Sequence, residues 1–280
     1  MSLTFYPTIS RGELGKYSRH LTRVLLTASS WAAEEVKRYG RVRRSLPIPY
    51  LPDVCIDRAA DCGGFVATFK WKDYRYTAAQ YVEWLDSWRP TWAATMDYCC
   101  EDQVTSGNPF VVEERQEKTT AMAYHFWTTY REKPWVWVPT IQGWQVHEYV
   151  RHAQTMRPLI QEMYAHYGKH SAFRVGIGTL CARASAEMIH EVVRSIIREL
   201  PGIPLHLWGI KLGTFSMPYA LPEQVVSCDS AAWNGMWGRG REIWKSSGYS
   251  QREWCLKVAL PLYEEKLYAA LRVPKQARMF

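Results

Sequence analysis

Short apolar runs rich in β-branched residues alternate with helical patterns along almost the whole chain, and this rhythm most constrains its fold. Buried strands appear at Arg23–Ala28, Val54–Ile56, Trp92–Asp97, Trp135–Gln142, Phe173–Gly178, Pro204–Ile210 and Val225–Asp229. Helical stretches fall between them, at Ser30–Tyr39, Thr77–Trp88, Val111–Arg131, Gln145–Tyr167 and Ala184–Leu200, with a last one at Ser250–Leu271. Thr77-Ala78-Ala79-Gln80 has the form of a capping box, and Pro90 stops the helix that it opens. Strands without polar alternation, each followed by a helix, call for a parallel sheet with helices outside.

An open doubly wound sheet gathers its polar residues at one switch point, whereas a barrel distributes them over all strand ends. Here nearly every strand ends on a candidate: Asp61, Asp97, Gln142, Gly176-Ile177-Gly178, Leu207-Trp208-Gly209 and Asp229. The expected fold is therefore α/β, a single TIM-type (β/α)8 barrel spanning residues 1–280. Its core is expected at about 20–235, with a C-terminal helical segment at about 250–271. Seven strands are evident, and the eighth is expected within Trp233–Trp244. Neither a Gly-x-Gly-x-x-Gly after the first strand nor a Walker A motif is present, which counts against nucleotide cofactors.

The most informative local stretch is Asp61-Cys62-Gly63-Gly64-Phe65. With Val54–Ile56 as a strand, Asp61 follows its carboxyl end, where βα-loops build active sites. The paired glycines let backbone approach a flat ligand without Cβ obstruction, and Phe65 offers a stacking face. An acid before Gly-Gly is also common turn chemistry. Together with the other strand ends it makes a set of three carboxylates, one amide and Gly-flanked backbone. Such a set suits the donor and acceptor edge of a purine-like base, with Phe65 and Trp208 able to sandwich the ring. The structural alternatives are an N-cap at Asp229, a loop-capping acid at Asp97, a backbone-bonding amide at Gln142 and a core indole at Trp208.

Taken in order, DCGGF, Met96-Asp97, Ile141-Gln142-Gly143, VGIGTL, HLWGI and the late SCDSA resemble the motif series of the tRNA-guanine transglycosylases over roughly residues 20–235. That family exchanges guanine for a 7-deazaguanine on an intact nucleic-acid backbone. The resemblance implies Asp229 as the nucleophile at C1′ and Asp61 as general acid/base. It implies Asp97, Gln142 and the Gly178 backbone as base-recognition groups, with Phe65 and Trp208 stacking on the base. A carboxylate suits the sugar because glycosidic cleavage builds oxocarbenium character there, and a second carboxyl suits the base nitrogen. No cofactor is implied.

The series departs from the tRNA enzymes in one respect. They carry a structural zinc site after the nucleophile, whereas here Cys255 is the one cysteine beyond Asp229 and no histidine follows. A four-ligand zinc site cannot be built from that region, so no metal is expected. The chain thus resembles the zinc-less phage and bacterial relatives that insert 7-deazaguanines, such as the 7-cyano base, into DNA. The expected partners are DNA and the free base. The competing readings are a tRNA enzyme without zinc and a non-catalytic nucleic-acid-binding subunit, against which the retention of both Asp61 and Asp229 argues.

Charge distribution fits a polyanion at the rim. The net charge of +8 is concentrated at the ends: nine Lys/Arg against three acids in residues 1–50, and nine against four in 230–280. Arg41, Arg43 and Arg44, with Arg239, Arg241 and Lys245, are the candidate phosphate-binding residues. One of Trp233, Trp237 or Trp244 is a candidate to fill the gap left by a flipped base. The seven cysteines show no framework and read as reduced thiols. Cys62 and Cys228 flank the two key aspartates but lack a sequence neighbour to activate them. His206 reads as a hydrogen-bonded core histidine, and His166 and His170 as surface residues. No apolar run suffices to cross a bilayer and Met1–Ser10 lacks signal-peptide layout, so a cytoplasmic protein without membrane contact is expected.

Overall fold

A computed structural model of the chain describes residues 3–17, 20–168, 172–181, 185–216, 221–234 and 239–272. Nine strand segments join in one sheet: β1 (Thr4–Ile9), β2 (Arg23–Thr27), β3 (Asp57–Asp61), β4 (Trp92–Ala94), β5 (Val136–Val138), β6 (Thr140–Ile141), β7 (Val175–Ile177), β8 (Leu205–Leu207) and β9 (Val225–Ser230). Their order is β5-β4-β3-β2-β1-β9-β8-β7-β6, and every recorded pairing is parallel. β5 and β6 are two halves of one strand interrupted at Pro139, whose ring removes a ladder donor. Val138 accepts from Thr95 N (3.0 Å) on one side, and Pro139 accepts from Gly176 N (2.8 Å) on the other. That switch of partner makes the sheet an eight-membered, nearly closed barrel of the TIM type.

The helices alternate with the strands: α1 (Arg11–Tyr17), α2 (Ala28–Tyr39), α3 (Gly64–Phe69), α4 (Ala78–Trp88), α5 (Asp102–Thr105), α6 (Pro109–Tyr130), α7 (Val146–Tyr167) and α8 (Ala186–Glu199). After β9 come α9 (Arg239–Ser246), α10 (Gln251–Trp254), a π-helical turn at Cys255–Ala259, and α11 (Leu260–Arg272). The capping box at Thr77 forms as its sequence suggests, with Gln80 N donating to Thr77 Oγ1 at 3.2 Å and Thr77 N to Gln80 Oε1 at 2.9 Å.

Two strand expectations are corrected. The missing strand is β1, at the amino end and ahead of residue 20. At the place expected for it, Ala232–Asn234 form a 3-10 turn and Arg239–Ser246 form α9, while 235–238 lie outside the described residues. Pro7 hid β1, because proline within a run argues against a central strand. The strand before the DCGGF stretch is Asp57–Asp61 rather than Val54–Ile56, so Asp61 is its last residue, paired with Thr27. The exposed Ile56 belongs to the Pro-rich connection instead.

Side-chain alternation sorts the strands into two cores. Tyr6, Leu25, Ala59, Trp92 and Val138 pack inside the barrel, while a larger apolar layer lies between sheet and helices. Between β8 and β9 stands a 3-10 turn (Leu212–Ser216) instead of a full helix, and α11 packs against it. Tyr263 of α11 stacks on Phe5 of β1 (ring centroids 5.1 Å apart), and Leu267 is wholly buried. The C-terminal helix therefore covers the outer face where β1 closes the ring. Phe5→Ala should cost about 3–5 kcal/mol, as for other buried phenylalanines. A denaturant midpoint unchanged from wild type would show that β1 and α11 do not seal the barrel.

Candidate active site

The period-two alternation that buries Tyr6, Ala59 and Trp92 also places the next inward residues, Thr8 and Asp61, one step nearer the carboxyl ends of their strands. β9 contributes Ser227 and then Asp229 on the same face, and His206 and Trp208 follow the same parity at β8. At this end of the barrel lies a cavity of about 140 Å³. Its lining includes Asp61, Phe65, Asp97, Gln142, Gly178, Trp208 and Asp229, together with Glu101, Cys181 and Gly209. All seven residues singled out for chemistry or base recognition thus border one space. An engineered apolar cavity of about 150 Å³ accepts benzene, so this one is sized for a small flat ring system.

Asp229 is buried and fully engaged by donors. Thr8 Oγ1 donates to Oδ2 at 2.6 Å, and Gly209 N donates to Oδ1 at 2.8 Å. His206 Nε2 stands 3.3 Å from Oδ1. Asp61 is only half-buried by exposure, yet its carboxyl is pushed up to about 7. Loss of hydration is the main cause; the charges of Asp97 and Asp229 add to it, and the Gly63 amide and Thr27 hydroxyl oppose it. Its Oδ1 accepts from Gly63 N at 3.1 Å. A carboxyl that changes protonation near neutrality can both give and take a proton at working pH.

Asp97 and Gln142 form a rigid pair. Gln142 Nε2 donates to Asp97 Oδ2 at 2.7 Å, and Gln142 Oε1 accepts from Thr179 Oγ1 at 2.5 Å. Cys62 Sγ donates to Asp97 Oδ1 at 3.3 Å, while burial raises the Asp97 pKa against these hydrogen bonds. Behind Gln142 its N–H donates to His152 Nδ1 at 2.8 Å. Burial lowers His152 to about 4 and keeps it neutral. Tyr74 donates to the Asp97 carbonyl at 2.7 Å, and Tyr76 bonds the Cys62 carbonyl. Thr179 holds a left-handed backbone (φ 57°), a costly conformation for a β-branched residue and typical of functional loops.

The glycines do a different job from the one expected. A Cβ on Gly64 would lie 1.9 Å from Asp97 Oδ1 and one on Gly63 2.5 Å from Ser29 Cβ, so Gly64, which also lines the cavity, makes room for Asp97, and Gly63 makes room for Ser29. At Gly178 the N–H donates to Ile141 O (2.9 Å) and the carbonyl accepts from Tyr149 OH (2.8 Å). Its backbone is thus tied into the barrel, and a Cβ there would meet Gln142 Nε2 at 2.3 Å. Phe65 stacks on Phe69 (5.4 Å), and Trp208 packs edge-on to His206 (4.3 Å). Cys62 and Cys228 are buried with thiols pushed well above their usual range, which removes them as nucleophiles.

His206 is the core histidine expected, but it also reaches Asp229. Sequence reading did not single out Thr8, Glu101, Cys181 or His152, and it named Gly209 only as part of a strand end and Thr179 only within VGIGTL. Thr8 had one readable signal, the aromatic and β-branched run TFYPTI. Glu101 is buried at the cavity wall, where Cys181 Sγ donates to its Oε1 at 2.7 Å. Among the described residues no three His, Cys, Asp or Glu side chains come together as a metal site.

The basic clusters lie outside the cavity. Arg41, Arg43 and Arg44 are exposed, and their backbone is tethered to the loop entering α4, with Val42 N donating to Arg75 O (2.7 Å) and Gln80 Nε2 to Arg44 O (2.7 Å). That loop carries Tyr74 and Tyr76, which links the cluster to the site's wall. Arg239, Arg241 and Lys245 are on α9, where Arg241 and Lys245 are exposed. Trp233 is buried with its N–H on Thr8 O (3.0 Å), Trp244 is half-buried, and Trp237 and His170 lie outside the described residues.

Two outcomes follow. Gly64→Ala should displace Asp97 and abolish whatever the cavity binds, readable as loss of ligand affinity with the fold retained by circular dichroism. The raised Asp61 carboxyl keeps its proton in the folded chain, whereas an unfolded chain ionises it near about 4. Its contribution to stability is therefore full below that value and lost as pH rises through about 7. Wild-type Tm should fall across that window more than the Tm of Asp61→Asn; parallel curves would refute the assignment.

A family model described as DpdA, DeoxyPurine in DNA protein A, matches residues 18–273. No curated protein matches the chain.

Proposed function

The chain belongs to the DpdA family, and from that premise we propose that it replaces guanine in DNA with a free 7-deazaguanine, such as the 7-cyano base, through a covalent glycosyl ester on Asp229. One observation carries the reading: a carboxyl held at a pKa of about 7 and a carboxylate cradled by donors share one base-sized cavity.

The chemistry follows from the two environments. Asp229 attacks C1′ as the glycosidic bond breaks, and Asp61 gives its proton to the departing base nitrogen. The incoming base returns a proton to Asp61 and attacks the same carbon, releasing Asp229. Exchange without hydrolysis needs water kept out, which a filled cavity provides. Asp97 and Gln142 present acceptor and amide groups to the base edge, the backbone around Gly178 borders it, and Phe65 and Trp208 supply apolar faces. Because a stacked base cannot enter such a cavity, the target guanine is flipped or single-stranded. Trp233 is too deeply packed to fill the resulting gap; Trp244 is the more accessible candidate. Arg41, Arg43 and Arg44 on one side, and Arg239, Arg241 and Lys245 on the other, hold the phosphates. Among the described residues no helix is long and apolar enough to cross a membrane.

Incubating the protein with labelled guanine and either duplex DNA or tRNA tests the reading, and label should enter DNA. Label in tRNA with none in DNA would move the chain to a tRNA substrate. Asp229→Asn should abolish exchange, a loss of at least about 4 kcal/mol of transition-state stabilisation, with DNA affinity nearly intact. Neutralising either basic cluster should weaken DNA binding and flatten its salt dependence while free-base binding stays put.

A further inference from the structure

We propose that His206 is a positioning residue that decides which oxygen of Asp229 attacks the sugar: a directed chain from Arg174 through Ser227 and His206 holds Oδ1, so that Oδ2 forms the glycosyl ester. The proposal rests on the transglycosylase reading above.

Hydrogen-bond direction is set at both ends of the chain. Arg174 Nη1 donates to Ser227 Oγ at 2.8 Å, and a guanidinium cannot accept. At the other end, His206 Nε2 faces Asp229 Oδ1 at 3.3 Å, and an ionised carboxylate accepts but cannot donate. Nε2 must therefore carry a proton. His206 is completely buried, walled by Trp92 (5.0 Å), Trp208 (4.3 Å) and Tyr6 (6.3 Å). Burial above all, and the Arg174 cation in addition, lower its pKa against the pull of Asp229, so the ring is neutral with a single N–H. Nδ1 is then an acceptor, and Ser227 Oγ, 2.8 Å away, must donate to it. Its oxygen is already the acceptor for Arg174, so every link points toward Asp229.

The two carboxylate oxygens are consequently unequal. Oδ1 receives the Gly209 N–H and the His206 Nε2–H, whereas Oδ2 receives the Thr8 hydroxyl, a donor that can rotate away. In the first half-reaction an Oδ2 lone pair bonds to C1′ and the C1′–N bond breaks. Its electrons go to the base nitrogen, which takes the Asp61 proton. Oδ1 becomes the ester carbonyl and keeps both donors. In the second, the incoming nitrogen loses its proton to Asp61 and bonds to C1′, and the C1′–Oδ2 electrons return to Asp229. A neutral donor suits this cycle, because an imidazolium would hold the carboxylate too tightly to attack.

Two measurements test it. In the full-length wild type, 15N NMR of the imidazole should show the neutral Nε2–H tautomer at about pH 7.5, with any protonation setting in below the ordinary histidine range. His206→Phe should lower kcat for exchange on the order of 100-fold, the scale of a lost carbonyl-oxygen donor, with KM for the free base within about twofold. His206→Gln, which retains an N–H, should recover part of that loss. Should His206→Phe fail to fold, Ser227→Ala serves instead: Nδ1 loses its donor while Nε2–H still faces the carboxylate, so kcat should fall severalfold with the Nε2–H tautomer retained, and an unchanged kcat there counts against the proposal. An imidazolium or an Nδ1–H form in wild type, or a wild-type kcat in His206→Phe, overturns the proposal. Asp229→Asn run in parallel separates the two readings: exchange by that variant removes the nucleophile and this proposal with it, whereas an inactive Asp229→Asn beside an unimpaired His206→Phe removes the positioning role alone.

Discussion

Four carboxyl groups, those of Asp61, Asp97, Glu101 and Asp229, border one small cavity, and at such separations they cannot all be ionised without compensation. The rest of the site is arranged around that conflict. Asp229 receives a hydroxyl, a backbone amide and an imidazole N–H. Asp97 receives the Gln142 amide and the Cys62 thiol, and its carbonyl the Tyr74 hydroxyl. Asp61 has the least support, the Gly63 amide and the Thr27 hydroxyl, and it is the one driven to titrate near neutrality. The raised carboxyl of Asp61 is therefore a consequence first of lost hydration and then of sparse donors beside other carboxyl groups, in the way that paired carboxyls elsewhere are pushed apart in pKa.

That supply depends on the barrel being closed. Thr8 reaches Asp229 because β1 lies beside β9 with Tyr6 paired to Asp229, and Gly209 does so from the carboxyl end of β8. The interruption at Pro139 lets one strand serve β4 with its first half and β7 with its second, and Gln142 emerges directly after that second half. α11 seals the outside of β1 through Tyr263 and Phe5, so a helix distant in sequence supports the strand that steadies Asp229.

Much of this was legible because alternation and turn chemistry are local. The strand ends at Asp97, Gln142, Gly178 and Asp229 could be read from apolar runs of β-branched residues, and Thr77-Ala78-Ala79-Gln80 named its own helix start. What failed depended on tertiary context. Pro7 disguised β1 because proline's cost is local, whereas the benefit of closing the ring is not. The glycines of DCGGF were read as letting backbone approach a ligand, and Gly64 does line the cavity, but its tightest neighbour is Asp97, thirty-three residues away in sequence. Glu101, Cys181 and His152 carry no spacing that announces them. They matter only because α6, α7 and the strand-end loops bring them behind or beside the cavity.

In the proposed reaction Asp229 becomes covalently bonded to the sugar. The most direct test of that bond is peptide mapping by mass spectrometry after the protein has been mixed with guanine-containing DNA and quenched under denaturing acid. Released guanine is removed continuously, so that no base is present to attack the ester. The expected result is a deoxyribosyl-oligonucleotide adduct on the peptide carrying Asp229 and none on those carrying Asp61 or Asp97. An adduct on either of the other aspartates, or base exchange at full rate with no adduct under any quench, would contradict it.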